Sequence, residues 1–366
     1  TAEYDAIANY AYHLDAGKFA AFLQEHCCNK LGVKHVLADV RQVNQAENGD
    51  VRSLSTPQCG EIEGDLFVDC TGFKAVLIGQ TLGVPFKDCN DILFCDTALA
   101  VQVPYEHENA PIASHTISTA QSAGWIWDIG LPTRRGVGHV FSKRHISVDE
   151  AERELRAYIG PRGKDLPIRQ IDIRSGHRET FWKNNVVAVG LAAGFLEPLE
   201  ASAIVLIEMS AKLIAEQMPA CREVMDVLAA RFNATTEYRW GRIIDFLKLH
   251  YVLTQRTDTQ FWRDNLLPET IPERLQNLLL LWRHQSPWYH DEFDRIEEVF
   301  PAASYQYVLY GMRFRTEVEP DTLVEEAARA QRAMRETAMQ TEKLRAVLPR
   351  HRDLLRKIRE YGMQAA

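Results

Sequence analysis

No apolar run in this 366-residue chain approaches the roughly 18 residues that a bilayer-spanning helix requires, so no spanning helix is expected. Positive charge is also short: 42 Lys and Arg stand against 50 Asp and Glu, a net charge of −8. Without a basic field to gather phosphates, nucleic acid is a poor partner and a small molecule a better one. The seven cysteines, Cys27, Cys28, Cys59, Cys70, Cys89, Cys95 and Cys221, show no paired metal-ligand spacing, and no metal site is expected. An odd number in a large chain suits reduced thiols in a cytosol, used as small buried side chains. A cytoplasmic location is therefore expected. There is no internal repeat, low-complexity tract or signal-peptide pattern. Thr1 has no Met before it and the first residues read as the middle of a domain, so an upstream part is expected.

What is present suffices for a sizeable core: 46% of residues are hydrophobic and 25% charged, in a chain longer than the usual single domain. Residues 18–31 carry Phe19, Phe22 and Leu23 at helical spacing before Gly32. Residues 33–43, 51–55 and 65–70 are β-rich and divided by Asn48-Gly49-Asp50 and Gly60. Strands are again predicted over 114–142, with Trp125, Trp127 and Ile129 on one face. A short apolar strand at 186–189 runs into Gly190 and Gly194, after which Ile204, Ile207, Ala211 and Ile214 take helical spacing. Beyond residue 216 the pattern is mainly helical, notably over 236–252, 272–283 and 321–361. Alternating charge from 325 to 359 reads as a solvated helix face or a partner-binding coiled coil. The division expected is a mixed domain over 1–215 and a helical cap over 216–366.

The segment most able to carry chemistry is Gly194-Phe195-Leu196-Glu197-Pro198-Leu199-Glu200, at the strand-to-helix junction. Pro198 suits the first helical position, because its fixed φ fits and its missing N–H would have had no partner there. The amides of Ala201, Ser202 and Ala203 would then point outward from a positive helix end, where an anion can bind. On local sequence alone, Glu197 and Glu200 could equally do no more than complement the helix dipole.

Phe195 to Glu200 resembles, nearly residue for residue, the hallmark junction of the tryptophan halogenases, a family of flavin-dependent halogenases. Gly124-Trp125-Ile126-Trp127-Asp128-Ile129 resembles that family's W-x-W-x-I-P signature, with Gly130 in place of Pro. Asp65-Leu66-Phe67-Val68-Asp69-Cys70-Thr71-Gly72-Phe73, followed by Leu77, is similar to the strand and glycine turn of its FAD module. Tyr12-His13-Leu14-Asp15, Leu249-His250-Tyr251 and Phe261-Trp262 extend the resemblance over most of the chain. The family usually continues Glu-Ser-Thr where this chain has Glu200-Ala201-Ser202.

The resemblance implies an α+β or α/β fold: an incomplete FAD-dependent monooxygenase-like module with mixed sheets and a mainly helical C-terminal cap. It implies Glu200 as the catalytic carboxylate and the amides of Ser202 and Ala203 as the halide site. Thr71, Gly72, Gly190, Leu191 and Gly194 would lie at the FAD, and Trp125 and Trp127 would shape the site between flavin and substrate. FADH2 would come from a separate flavin reductase, and the oxidised halide would travel to an aromatic substrate, an indole or phenol. The substrate places fall on Trp288, Tyr289, Arg295, Val299 and Phe300; Arg295, where a Glu is usual, would repel an ammonium group. A homodimer is allowed. The family's dinucleotide fingerprint and catalytic Lys are not found: Gly136-Val137-Gly138 runs into strand residues, and Lys18 and Lys74 lie in the wrong context. A chain that binds FAD poorly and is inactive alone is therefore the expectation. An aromatic hydroxylase of the same fold and a non-catalytic flavin-binding relative remain the alternatives.

Overall fold

The computed structural model describes residues 11–288, 298–317 and 324–362. Helix α1 (Ala16–Lys30) is capped by Asp15, whose carboxylate accepts from the Lys18 amide and pairs with Arg134 at 3.0 Å. The strand predicted over 33–43 does not form before residue 42: Val33, Leu37 and Val40 are exposed, and residues 33–40 pair with no strand among the described residues. β-propensity without a neighbouring strand or a core to pack on does not make a strand. Strands β1 (Gln42–Gln45), β2 (Val51–Thr56) and β3 (Gly60–Glu63) then form an antiparallel meander.

Strand β4 (Phe67–Asp69) ends in a buried carboxylate that organises the next ten residues. Asp69 accepts from the amide and hydroxyl of Thr71 and from the amides of Leu77 and Ile78, at 2.6–3.0 Å, folding residues 70–78 back onto the strand end. After β5 (Phe86–Asp88), the chain builds β6 (Thr97–Pro104), β7 (Ile117–Ala120), β8 (Gly124–Gly130) and β9 (Arg134–Phe141). Helix α2 (Val148–Ile159) starts with a capping box between Ser147 and Glu150. With β10 (Arg169–Asp172) the strands make an antiparallel sheet of order β10-β6-β9-β8-β7. On it Trp127 lies across Gly138 of β9, where a Cβ would fall 2.1 Å from the indole.

Strands β11 (Gly176–Arg178), β12 (Trp182–Lys183), β13 (Val186–Ala188) and β14 (Gly194–Phe195) complete two further three-stranded sheets, of order β14-β11-β5 and β12-β13-β4. The β13–β4 pair is parallel, with Ala188 opposite Asp69. The carboxyl ends of both strands therefore open side by side, the usual place for a ligand crevice in an α/β sheet. From residue 202 the described elements are helices: α3 (Ser202–Glu216), α4 (Arg222–Val252), α5 (Gln260–Asp264), α6 (Glu273–Trp282), α7 (Ala302–Gly311), α8 (Val324–Val347) and α9 (His351–Tyr361). The largest core joins Ile78, Leu93, Trp182 and Val187 to Trp240, Ile243 and Phe261 of the helices. Nearly every described side chain of α8 is exposed. Among the described residues no helix is long and apolar enough to cross a membrane.

All seven cysteines are free, but their expected use as buried side chains holds only for Cys89 and Cys95; Cys59, Cys70 and Cys221 are exposed, and Cys27 and Cys28 are half-buried. Cys59 and Cys70 sit at or beside strand ends, where a short side chain is left facing solvent.

The Trp127–Gly138 contact gives a direct stability test. Gly138→Ala is expected to cost about 1–3 kcal/mol by overpacking, read as a lower urea midpoint. Gly136→Ala, on the same strand with nothing within 4 Å of its Cβ position, is the matched control and should change the midpoint little.

Candidate active site at a strand-to-helix junction

Between β14 and α3 the backbone makes two turns that sequence reading merges into one. Pro198 opens a short 3-10 turn, Pro198–Glu200, and the Ala201 amide donates back to the Pro198 carbonyl at 3.1 Å. Ala201 then takes a left-handed conformation, φ 50°, and the α-helix begins at Ser202, not at Pro198. A left-handed alanine costs roughly 1–2 kcal/mol, and it turns the axis of α3 away from the 3-10 turn. The amide of Ala201 is thus already used, and the unpaired first-turn amides of α3 start at Ser202.

That helix start faces a small pocket. Its lining brings together Gly190, Leu191, Gly194, Ser202 and Ala203 with Leu206, Ile207 and Trp240, around about 60 Å3, room for a few water-sized bodies. The Gly72–Lys74 turn packs beside the Gly190–Ala192 turn, with the Phe73 ring edge-on to Phe195 at 6.0 Å. Thr71 is committed internally: its hydroxyl donates to Asp69 and accepts from the Val76 amide.

On the other side of the junction lies a cavity of about 450 Å3, lined by Trp125, Leu199, His250, Tyr251 and Trp262 among others. Glu200 is half-buried and its Oε1 lies 2.9 Å from Nε2 of His250. The other ring nitrogen of His250 donates to the Phe246 carbonyl at 2.8 Å. Both ring nitrogens thus face acceptors, and the imidazole bridges the Glu200 carboxyl to the α4 backbone. The arrangement suits a group that delivers or accepts a proton at the cavity wall.

Directly behind the junction is a second, wholly buried polar cluster. Glu197 is 1% exposed; Tyr251 donates to its Oε2 at 2.8 Å, and its Oε1 and the nearby Trp125 indole N–H find no hydrogen-bond partner among the described residues. Burial pushes the Glu197 carboxyl above its ordinary range, against the pull of Tyr251, Cys95, Trp125 and His250. Lys248, 0% exposed, donates to Asn265 at 2.8 Å and sits 4.8 Å over the Phe94 ring. Burial lowers its ammonium to about 7, with the Glu197 carboxylate acting in the opposite sense. Burial raises Cys95 and Tyr251 well above their ordinary values, so both stay protonated.

Trp125 and Trp127 stand edge-on at 6.3 Å; Trp125 reaches the larger cavity and Trp127 lies over Gly138. Trp288 is 54% exposed, Val299 packs on the main core, and Phe300 stacks on Phe246 at 4.0 Å, so none of the three lines the larger cavity. Tyr289 and Arg295 lie outside the described residues. Lys248 and Asn265 were not singled out from sequence, and Glu197 was read there only as a possible complement to the helix dipole. One signal was there: Lys248 interrupts Phe246-Leu247 and Leu249, and both leucines are fully buried. Among the described residues no cluster of His, Cys, Asp and Glu could hold a metal.

Residues 2–328 match the tryptophan halogenase family. Tryptophan 6-halogenase SttH of Streptomyces toxytricini is 39% identical over 305 residues, covering 82% of this chain and 57% of that protein. The 7-chloro-L-tryptophan 6-halogenase KtzR of Kutzneria sp. (strain 744) is 35% identical over 96% of this chain and 67% of its own length. A solved tryptophan halogenase from Shewanella frigidimarina NCIMB 400 superimposes with a TM-score of 0.92 at 48% identity, over 95% of this chain and 67% of that one. The chain thus spans between about half and two thirds of these relatives.

The buried lysine predicts a pH signature. Because its folded value is lowered from 10.5 to about 7, the unfolded chain binds the extra proton between those limits, and stability rises with pH there. Lys248→Met removes that rise. The stability of the unaltered protein minus that of the variant should therefore grow between pH 7 and 10, by at most about 1.4 kcal/mol per pH unit, measured by urea unfolding at several pH values.

Proposed function

The chain belongs to the tryptophan halogenase family, and from that premise we propose that it serves the halogenation of an electron-rich aromatic ring of indole or phenol type. The reaction would use reduced FAD from a separate reductase, oxygen, and chloride or bromide. The observation that carries this reading is the position of one junction between two pockets, with α3 amides facing the smaller and the Glu200–His250 pair at the wall of the larger.

The residues present fit a flavin. Gly72 and Gly190 take positive φ at the ends of the parallel strands, bringing backbone to a crevice rimmed by the exposed apolar side chains Phe73, Leu191, Ile204 and Ile207. A flat, largely apolar ring would cover that rim, with Thr71, Gly72, Gly190, Leu191 and Gly194 holding it. Bound there, reduced FAD would supply, with oxygen, the two-electron oxidation of the halide. The chain's own part is to hold the halide on the first-turn amides at Ser202 and Ala203, where the helix dipole favours an anion. Those amides do not depend on side-chain identity, so Ala201-Ser202 in place of Ser-Thr leaves them intact. Trp125, in the wall of the larger cavity, keeps the organic substrate on the Leu199 and Tyr251 side. At that wall Glu200 orients the oxidant or takes the proton leaving the ring, and His250 holds it in place through the 2.9 Å contact. The inactivity expected of the chain by itself rests on motifs not found in it, and the fold adds no support to it.

The full-length protein supplied with a flavin reductase, FAD, bromide and indole should yield brominated indole by mass spectrometry. A hydroxylated product formed without halide would make it a monooxygenase, and no turnover at all a non-catalytic relative. Glu200→Gln should lower halogenation by about 10²–10⁴-fold while reoxidation of reduced flavin by oxygen, followed by absorbance, continues.

A further inference from the structure

The larger cavity has a one-sided charge lining. Its walls are apolar or aromatic at Ala120, Trp125, Leu199, Tyr251, Trp262 and Met312, and its cationic side chains are Arg256 and Arg313, with His250 beside them. Among the described residues no carboxylate lines it; Glu200 reaches it through His250. The two arginines are not equivalent. Arg256 is spent: it makes a two-pronged pair with Asp258 at 3.0 and 2.7 Å and lies over the Trp262 ring at 4.9 Å. Arg313 is held by no ion pair among the described residues.

The backbone at Arg313 points the same way. Helix α7 ends in a Schellman motif: the Arg313 amide donates to the Tyr310 carbonyl at 3.1 Å and the Phe314 amide to the Leu309 carbonyl at 2.9 Å. The motif puts Arg313 in the left-handed position, φ 65°, where glycine is the usual residue. A glycine stands two residues earlier, at Gly311, yet the left-handed place is occupied by the longest cationic side chain available. A non-glycine residue held in that conformation at a cavity rim is the kind of outlier from which a functional role is inferred.

We propose that the larger cavity takes a planar aromatic bearing an anionic group, such as an indole or phenol with a carboxylate side chain, and that Arg313 is the specificity-determining partner of that anion. This rests on the reading of the cavity as the substrate site. The ring packs among Trp125, Tyr251 and Trp262, while the guanidinium offers paired N–H donors to a carboxylate. A free ammonium finds no carboxylate among the described lining residues, and the Arg313 guanidinium repels it.

The test is equilibrium binding, which needs neither flavin nor turnover. Quenching of tryptophan fluorescence gives the Kd for indole-3-propionate, 3-methylindole and tryptamine, three ligands sharing a ring and differing in charge. The expected order is indole-3-propionate tightest and tryptamine weakest, separated by tenfold or more. Arg313→Gln should remove most of the preference for the carboxylate, and Arg313→Glu should invert it toward tryptamine. Circular dichroism and unfolding midpoints show whether each variant is folded; Arg313→Gly, which relaxes the backbone, supplies a folded variant should the others fail, and it too should lose the preference. Equal Kd values for all three ligands, or a carboxylate preference that persists in the folded variants, would overturn the proposal. Selective binding without brominated product would leave the cavity assignment standing and refute the halogenase reading instead.

Discussion

A carboxylate cannot be sealed in a protein interior without donors, and Glu197 is sealed almost completely. Its hydrogen bond from Tyr251 ties the junction after β14 to the C-terminal half of α4, and Cys95, Trp125 and Lys248 surround the same group from the β-sheet side and from α4. That bond fixes the 3-10 turn that follows. With Glu197 anchored inward, Glu200, three residues on, is carried to the opposite side and meets His250. Lys248, His250 and Tyr251 fall within a single turn of α4, so one segment serves both the buried cluster and the cavity wall. Removing one partner of such a buried set is costly because the other charge is left uncompensated.

The left-handed Ala201 is the second fixed point. It breaks the direction of the chain between Glu200 and Ser202, so that the carboxylate faces one pocket and the helix amides another. Preorganised donors and carboxylates on opposite sides of one turn can act on two different species without competing for them.

Much of this was legible in the residues. Apolar spacing marked α1, α3 and α6, alternating tryptophans marked β8, and the junction itself was singled out on its Pro and Glu pattern. The precise turn was not legible, because alanine carries no signal for left-handed backbone in the way glycine or asparagine does. The larger cavity was also hidden: it is assembled from residues 118–125, 199, 250–262 and 311–313, which only the fold brings together. Of the substrate places chosen by resemblance, Val299 and Phe300 pack against cores while Trp288 is exposed. Phe300 and Phe246 stack because both are apolar and opposed across α4, which sequence spacing cannot reveal.

The central claim is that the first-turn amides of α3 form the halide site beside the cavity wall. Crystals soaked in bromide and measured at the bromine absorption edge test it most directly. The account predicts an anomalous peak in the pocket lined by Gly190, Gly194, Ser202 and Ala203, within hydrogen-bonding reach of the Ser202 and Ala203 amides. Bromide bound at other places on the protein and absent from that pocket would contradict it.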